Sequence, residues 1–417
     1  MSGNSAAFYT LGCKVNQAET RRLADLLRAR GWHIFDSNTH ADVYIINSCA
    51  VTAESARKTR QAVRRFKKNN PDATVALIGC VPSVANNLGE ELPEADLIVP
   101  QAEKDRLPEF LEQIIIPKNP IPNIQTPCTG IRAAVKIQDG CNSFCSYCVI
   151  PLARGRACSV PLNQALDECR TLINGGAREI ILTGINLSTW GREFGQTLAD
   201  AVRAVSALPH LLHLRLGSLE PDLLTPAVLQ ELTTINNLCP HFHISLQSGS
   251  DSVLRRMNRR YASAEFAALC QNLRRFFPGC TITTDIIVGF PGETLSEFEE
   301  TFSFAQQIAF EKAHIFPYSA RPGTRAAAMP NQLPRIEKER RAHLLLDAMS
   351  EIRHKFFLTK IGKTLTILPE KQDREGFVHG YTANYIPVRA HSLSTLPFLQ
   401  TVKITGVDGD FCRGEAV

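Results

Sequence analysis

Short apolar runs alternate with helical patterns through the N-terminal quarter of the chain. Residues 6–15 read as a strand ending in Leu11-Gly12-Cys13. Leu23, Leu26 and Leu27 then recur at helical spacing until Gly31 stops the pattern. Val43 to Asn47 is a compact β-branched strand that runs into Ser48-Cys49. A helix over 53–69 follows, closed by Asn70-Pro71. Thr74 to Ile78 predicts a strand running into Gly79-Cys80, and Leu97 to Val99 another. Such alternation predicts a parallel α/β sheet. In an open parallel sheet the C-terminal strand ends share one rim, where ligands bind. Cys13, Cys49 and Cys80 each follow such an end. Any one of them reads as a buried apolar residue. Together they put three thiols on one rim, a set able to hold a metal cluster.

A proline-rich stretch, Ile116 to Pro122, reads as an interdomain linker. Beyond it, strand patterns recur at βα spacing over 180–184, 213–218, 243–249, 283–289 and 313–318. Helices over 161–174 and 263–277 fill two of the gaps. Repeated βα units with polar groups at the strand ends predict a full or partial TIM-type barrel, with its mouth at those ends. After residue 358 the pattern shortens. Lys363 to Glu370, Gly376 to Tyr381 and Thr401 to Val407 read as strands between glycine turns. They predict a small OB-like β-barrel. The expected organisation is three domains, at 1–118, 128–357 and 358–417.

Composition narrows the class. The 417 residues are 44% hydrophobic and 21% charged, which suits a globular chain with a sizeable core. No run is long and apolar enough to span a bilayer. Met1 to Gln17 lacks the charged and apolar regions of a signal peptide. The 13 cysteines therefore read as thiols and metal ligands, and the compartment as cytoplasmic. A net charge of +5 permits an RNA partner without requiring one. Basic residues cluster at Arg57–Lys68, at Arg255–Arg260 and between Lys338 and Lys363. The C-terminal segment from Lys360 carries 7 Lys and Arg against 6 Asp and Glu, so charge alone does not mark it as RNA-binding.

The central chemistry lies in Gly140-Cys141-Asn142-Ser143-Phe144-Cys145-Ser146-Tyr147-Cys148. Three cysteines at i, i+4 and i+7 fold their thiolates round one point. Tetrahedral zinc wants four ligands, and no fourth Cys or His follows closely. A cubane iron–sulfur cluster on three thiolates leaves one iron open to a chelating substrate. With Tyr147 before the last cysteine, the loop resembles that of the radical S-adenosylmethionine (SAM) enzymes, whose open iron binds the amino and carboxylate groups of SAM. Three segments extend the likeness over essentially the whole chain. Leu11 to Gln17, the cysteine loop continuing through Ile150 to Arg156, and Val288 to Glu293 resemble the methylthiotransferases. Gly12-Cys13-Lys14-Val15-Asn16-Gln17 is similar to the branch acting on threonylcarbamoyladenosine 37 of tRNA. Ala18 departs from that branch, which has an aromatic residue there.

The resemblance implies an N-terminal cluster domain, a radical SAM barrel and a C-terminal TRAM domain. It implies two 4Fe-4S clusters, an auxiliary one on Cys13, Cys49 and Cys80 and a SAM cluster on Cys141, Cys145 and Cys148. SAM would lie against Thr183, Gly184 and Asn186, the strand end at Ser218 and Glu220, Gln247 and Ser248, and the turn from Gly289 to Gly292. It further implies two uses of SAM, one to methylate sulfur on the auxiliary cluster and another to yield a 5′-deoxyadenosyl radical, so that adenine C2 would gain a methylthio group. The partners implied are the tRNA anticodon loop and an electron donor such as flavodoxin or ferredoxin, with no membrane. Adenosine 37 must leave its stack, which a single-stranded loop allows. Arg154 and Arg156 are candidates for the substrate carboxylate. Cys128, Cys158, Cys169, Cys239, Cys270, Cys280 and Cys412 read as structural thiols. The competing readings are methylthiolation of isopentenyladenosine, an RNA-binding module with structural zinc, and a two-cluster electron carrier.

Overall fold

The computed structural model describes residues 4–92, 94–115, 130–391 and 398–417. The proline-rich stretch from Ile116 to Pro122 and Cys128 lie outside the described residues. Contacts group the chain into two compact units, neither continuous in sequence. The first combines the segment before the linker with Asp139–Cys158 and Ser319–Ala328. The second contains the rest of the described chain.

In the first unit five parallel strands lie in the order His33–Asp36, Ser5–Thr10, Val43–Ser48, Thr74–Gly79, Leu97–Pro100. Val43–Ser48 is buried on both faces, which its unbroken apolar run requires of a central parallel strand. Val43 and Ile45 pack with Leu23, Leu27 and Trp32 on one face. Tyr44 and Ile46 pack with Ala62, Val63 and Phe66 of helix Ala53–Asn69 on the other, as the alternation of a strand dictates. Thr52 caps that helix by accepting the Ser55 N–H at 3.1 Å. The strand expected over 6–15 ends at Thr10. Gly12 turns the chain at φ 104°, and Cys13 becomes the N-cap of helix Lys14–Ala29.

The second unit carries the βα series. Arg132–Lys136, Glu179–Thr183 and His213–Leu216 form one parallel sheet. Ser218–Leu219, His241–Ile244, Thr281–Val288 and Lys312–Pro317 form another. The single strand expected at 213–218 is thus split at Gly217, whose N–H turns to Leu182 O at 2.8 Å. These two sheets make the partial barrel. A 24-residue helix, Arg335–Leu358, buries Ala342, Leu345 and Met349 in the same core. The tail closes a five-stranded barrel. Two of its strands, Pro387–His391 and Phe411–Ala416, lie beyond the three expected and pair in parallel. Within this unit Arg215 donates to Ala383 O at 2.9 Å, with the Tyr385 ring 4.5 Å from its guanidinium. No helix among the described residues is long and apolar enough to cross a membrane.

Candidate functional site

The first unit brings both cysteine triplets into one body. Three neighbouring strands end on one rim, and buried amides tie their turns together. Asn16 donates to Leu11 O at 2.9 Å and Ser48 O at 3.0 Å. Asn47 donates to Asn16 O and Thr20 Oγ1, each at 3.0 Å. Ser48 Oγ donates to Ile78 O at 2.6 Å and accepts the Val81 N–H at 3.1 Å. Glycine is required beside this rim. A Cβ on Gly12 would lie 2.8 Å from Cys49 Cβ and 3.1 Å from its Sγ. Cys13 is exposed, whereas Cys49 and Cys80 are buried. Burial pushes the free Cys49 thiol up to about 11, with the nearby Cys80 and Cys13 adding to it. Burial raises Cys80 too, against the pull of Arg154 and Lys104. A bound metal reverses this by stabilising the thiolates.

The Cys141–Cys148 loop is pinned by its own backbone. Cys141 N–H donates to Gly155 O at 3.2 Å and Cys148 N–H to Cys145 O at 3.0 Å. Ser143 N–H points at Cys141 Sγ, 3.4 Å away. A Cβ on Gly140 would stand 2.0 Å from Arg156 O, so no other residue fits. Val149 and Ala153 pack against Cys80, Val81 and Val84, which joins the loop's base to the rim.

Three free thiols in each triplet are the donor chemistry an iron–sulfur cluster takes. Among the described residues, three ligand atoms close within 4.8 Å at Glu179, His213 and Cys239, and at His243, Asp285 and His314. Neither set contains a triplet cysteine. A single tetrahedral zinc, with Zn–S about 2.3 Å, draws its sulfurs to about 3.8 Å of one another. Neither triplet draws its three sulfurs within 4.8 Å of one another, so neither is gathered as that ion would gather it. Glu179 is already engaged by Arg215 at 2.7 Å and Arg132 at 2.9 Å. Burial would push its carboxyl up, but Arg215, His213 and Arg132 hold it far below the usual range.

A buried ionic network runs between the triplets. Arg154 donates to Glu19 at 2.9 and 3.1 Å, to Asp139 at 2.9 Å and to Asn16 at 2.9 Å. Lys104 Nζ lies 2.5 Å from Glu19 Oε2. The side chains of Arg154, Lys104 and Glu19 are 1%, 3% and 5% exposed. Arg154 is therefore not free for a substrate carboxylate, and that candidate is corrected. Two cations balance two carboxylates here. Arg154→Ala would take the guanidinium from Asp139 and leave Glu19 with Lys104 as its cation, and the expected loss is about 3–5 kcal/mol. Unfolding midpoints of Arg154→Ala and Arg154→Ala/Glu19→Gln check this, the second recovering part of the loss. A loss under about 1 kcal/mol would mean that the network is solvated. Arg156, by contrast, is exposed, its guanidinium 4.7 Å from the Phe144 ring centroid.

The expected SAM contacts lie in the second unit. Thr183 ends its strand, and Gly184 passes Gln138 so closely that a Cβ would lie 2.8 Å from Gln138 Cβ. Asn186 N–H donates to Gln138 Oε1 at 2.7 Å. Its own Oδ1 is buried without a partner, an acceptor suited to a ligand's donor. Ser218 begins the short strand after Gly217. Glu220 pairs with Arg259; burial raises its pKa and the guanidinium opposes this. Gln247 sits at φ 66° with its backbone bonded to Asp285 and Ile287. Two of the expected stretches are tied within the fold. The fully buried Ser248 hydroxyl lies 3.0 Å from Thr301 Oγ1 and accepts the Ser250 N–H, so it shapes the turn. Gly289 needs to be glycine for Lys338, whose Cγ would lie 2.3 Å from a Cβ there. Its N–H goes to Glu293, and Gly292 N–H to Asn331 O.

Sequence reasoning missed Glu19 and Lys104, whose roles appear only through partners up to 135 residues away. Of the spare cysteines, Cys158 is exposed, and Cys169, Cys239, Cys270, Cys280 and Cys412 are buried. Burial pushes Cys239, Cys270 and Cys280 up to about 12, which suits inert thiols.

Comparison with known proteins gives three kinds of likeness. Residues 135–305 match the family described as Radical SAM superfamily, and residues 5–100 that described as Uncharacterized protein family UPF0004. The Threonylcarbamoyladenosine tRNA methylthiotransferase MtaB of Bacillus subtilis is 33% identical, covering 92% of this chain and 90% of its own. That of Chlamydia pneumoniae is 36% identical, covering 87% and 86%. The tRNA-2-methylthio-N(6)-dimethylallyladenosine synthase of Moorella thermoacetica is 30% identical, covering 98% and 97%. Among solved structures, the radical S-adenosylmethionine methyltransferase TsrM of Kitasatospora setae aligns with a TM-score of 0.55 at 13% identity. It covers 78% of this chain and 77% of that one, a likeness of fold.

Proposed function

The chain belongs to the tRNA methylthiotransferase family of radical SAM enzymes, and on that premise we propose that it converts N6-threonylcarbamoyladenosine 37 of tRNA to its 2-methylthio derivative. The observation that carries the reading is the pairing of two cysteine triplets in one packed body. Cys13, Cys49 and Cys80 would hold the auxiliary 4Fe-4S cluster, and Cys141, Cys145 and Cys148 the SAM cluster. Thr183, Gly184, Asn186, Ser218, Glu220, Gln247, Ser248, Gly289 and Gly292 would meet SAM. The clusters and SAM supply the electron, sulfur and methyl group, because adenine C2–H is not acidic enough for base chemistry.

The residues of this chain bind, hold and screen. Asn16, Asn47 and Ser48 lock the three rim turns, so the thiol positions are preorganised. Arg154 and Lys104 place positive charge beside Cys80, which favours its thiolate form. The apolar seat of Val81, Val84, Val149 and Ala153 keeps water from the base of the loop. The Asn186 Oδ1 would accept a hydrogen bond from the SAM amino group. The tail barrel is read as a TRAM domain that helps hold the anticodon arm, with a cytoplasmic flavodoxin or ferredoxin as electron donor.

Favouring the threonylcarbamoyl substrate over isopentenyladenosine are the Lys14-Val15 pair after Cys13 and the relatives at 33–36% identity. Nucleoside mass spectrometry of tRNA from cells lacking the protein tests the reading. Threonylcarbamoyladenosine should persist and its 2-methylthio form vanish. Retention of that form, with loss of the methylthio-isopentenyl nucleoside, would transfer the chain to the sibling reaction.

A further inference from the structure

The segment Ser319–Ala328 belongs to the first unit although it lies far along the chain. It is fastened at both ends beside cysteines. Ser319 Oγ accepts the Ala53 N–H at 2.9 Å, four residues past Cys49. Ala326 N–H donates to Ser146 O at 2.8 Å, inside the Cys141–Cys148 loop. Between these anchors Gly323 turns at φ 77°, where a Cβ would lie 2.7 Å from Leu88 and 2.9 Å from Leu152. The Thr324 N–H and hydroxyl both donate to Arg321 O, at 3.2 and 2.7 Å, which fixes the backbone at Arg321.

Arg321 is 9% exposed, yet its buried Nε has no hydrogen-bond partner. No carboxylate among the described residues pairs with it. The charges it feels are those of Glu90, Arg60 and Cys49, and burial pushes its pKa down. Other buried guanidiniums are matched: Arg154 by Glu19 and Asp139, Arg215 by Glu179, Arg259 by Glu220, Arg341 by Glu293. A buried donor without an acceptor is costly, and a ligand that supplies the acceptor removes that cost.

We propose that Arg321 is the receptor for the carboxylate of the N6-threonylcarbamoyl substituent, a specificity residue for the function proposed above and resting on it. The two triplets would hold the groups that supply the sulfur and take the C2 hydrogen, so the adenine would lie between them. C2 and N6 flank N1 on the same edge of the base. A substituent on N6 therefore runs beside the reacting carbon, and its far end would meet the segment that carries Arg321, which is anchored at Ala53 and inside the Cys141–Cys148 loop. Its carboxylate is planar and anionic, the shape that a guanidinium fork pairs with best. The isopentenyl group has no atom to offer it.

The test is RNA binding by the reconstituted holoenzyme without oxygen. Two anticodon stem-loops are compared, one bearing threonylcarbamoyladenosine and one its carboxamide, which removes only the charge. Arg321→Gln should weaken binding of the carboxylate RNA about 10- to 100-fold. The carboxamide RNA should change by no more than about twofold. Arg321→Lys, which keeps the charge, should recover part of the loss. Equal weakening toward both RNAs, or loss of iron from the holoenzyme, would mean that Arg321 serves the fold or a cluster, and would overturn the proposal while the wild type still bound and modified the threonylcarbamoyl RNA. A wild type that modified only isopentenyl RNA would overturn the parent reading as well.

Discussion

A chain carrying Cys49→Ala is expected to keep cleaving SAM to 5′-deoxyadenosine and to form no methylthio product. Cys49 is buried against Gly12, and its side chain is small, so its truncation leaves little void. The turns around it are held by Asn16, Asn47 and Ser48, none of which depends on its sulfur. The fold should therefore survive. With two cysteines left on the rim, the auxiliary cluster is lost, and reconstituted iron should fall from about eight to about four per chain. The Cys141–Cys148 loop keeps its own pins at Gly155, Cys145 and Ser143. Assays of 5′-deoxyadenosine and modified nucleoside, run in parallel on folded protein, separate the two triplets. If 5′-deoxyadenosine formation also ceased while about four irons remained, the division of labour between the triplets would be wrong.

What the sequence made legible was local. The unbroken Val43–Ser48 run marked a central parallel strand, and each rim cysteine was visible because a strand pattern ended just before it. The helix over 53–69 was legible at its end because Asn70-Pro71 closes it. Breaks set by tertiary pairing were not. Nothing in His213–Ser218 announces that Gly217 sends its N–H to Leu182 and divides one apparent strand between two sheets. Pro387–His391 and Phe411–Ala416 escaped notice because proline, arginine and glutamate interrupt their apolar alternation. Arg335–Leu358 read as a basic cluster because charges surround its buried Ala342, Leu345 and Met349. The site followed the same rule. The cysteines were named from spacing, whereas Arg154 was assigned to a substrate until its partner Glu19, 135 residues away, came into contact. Arg321 carried no signal at all, since its meaning is the lack of a partner.

Offered two tRNAs, one with threonylcarbamoyladenosine and one with isopentenyladenosine at position 37, the purified enzyme is expected to methylthiolate the first alone. The two substituents share a point of attachment and differ in kind, since one ends in a carboxylate and the other is wholly apolar. A site built to hydrogen-bond a polar group rejects an analogue lacking it by about 10⁴-fold or more, because its own donors are left buried and unpaired. The donors that fit this description have been narrowed. Arg154 is spent on Glu19 and Asp139. Arg156 is exposed over Phe144, where water pairs it at little cost, so it can add attraction but not rejection. Arg321 is buried with an unpartnered Nε, and an isopentenyl group in its neighbourhood would leave it so. Discrimination should therefore appear as a fall in kcat/KM for the isopentenyl tRNA, and Arg321→Gln should narrow it by slowing the threonylcarbamoyl reaction. Comparable turnover of both tRNAs by the wild type would move the chain to the sibling branch, with its two cysteine triplets and their chemistry unchanged.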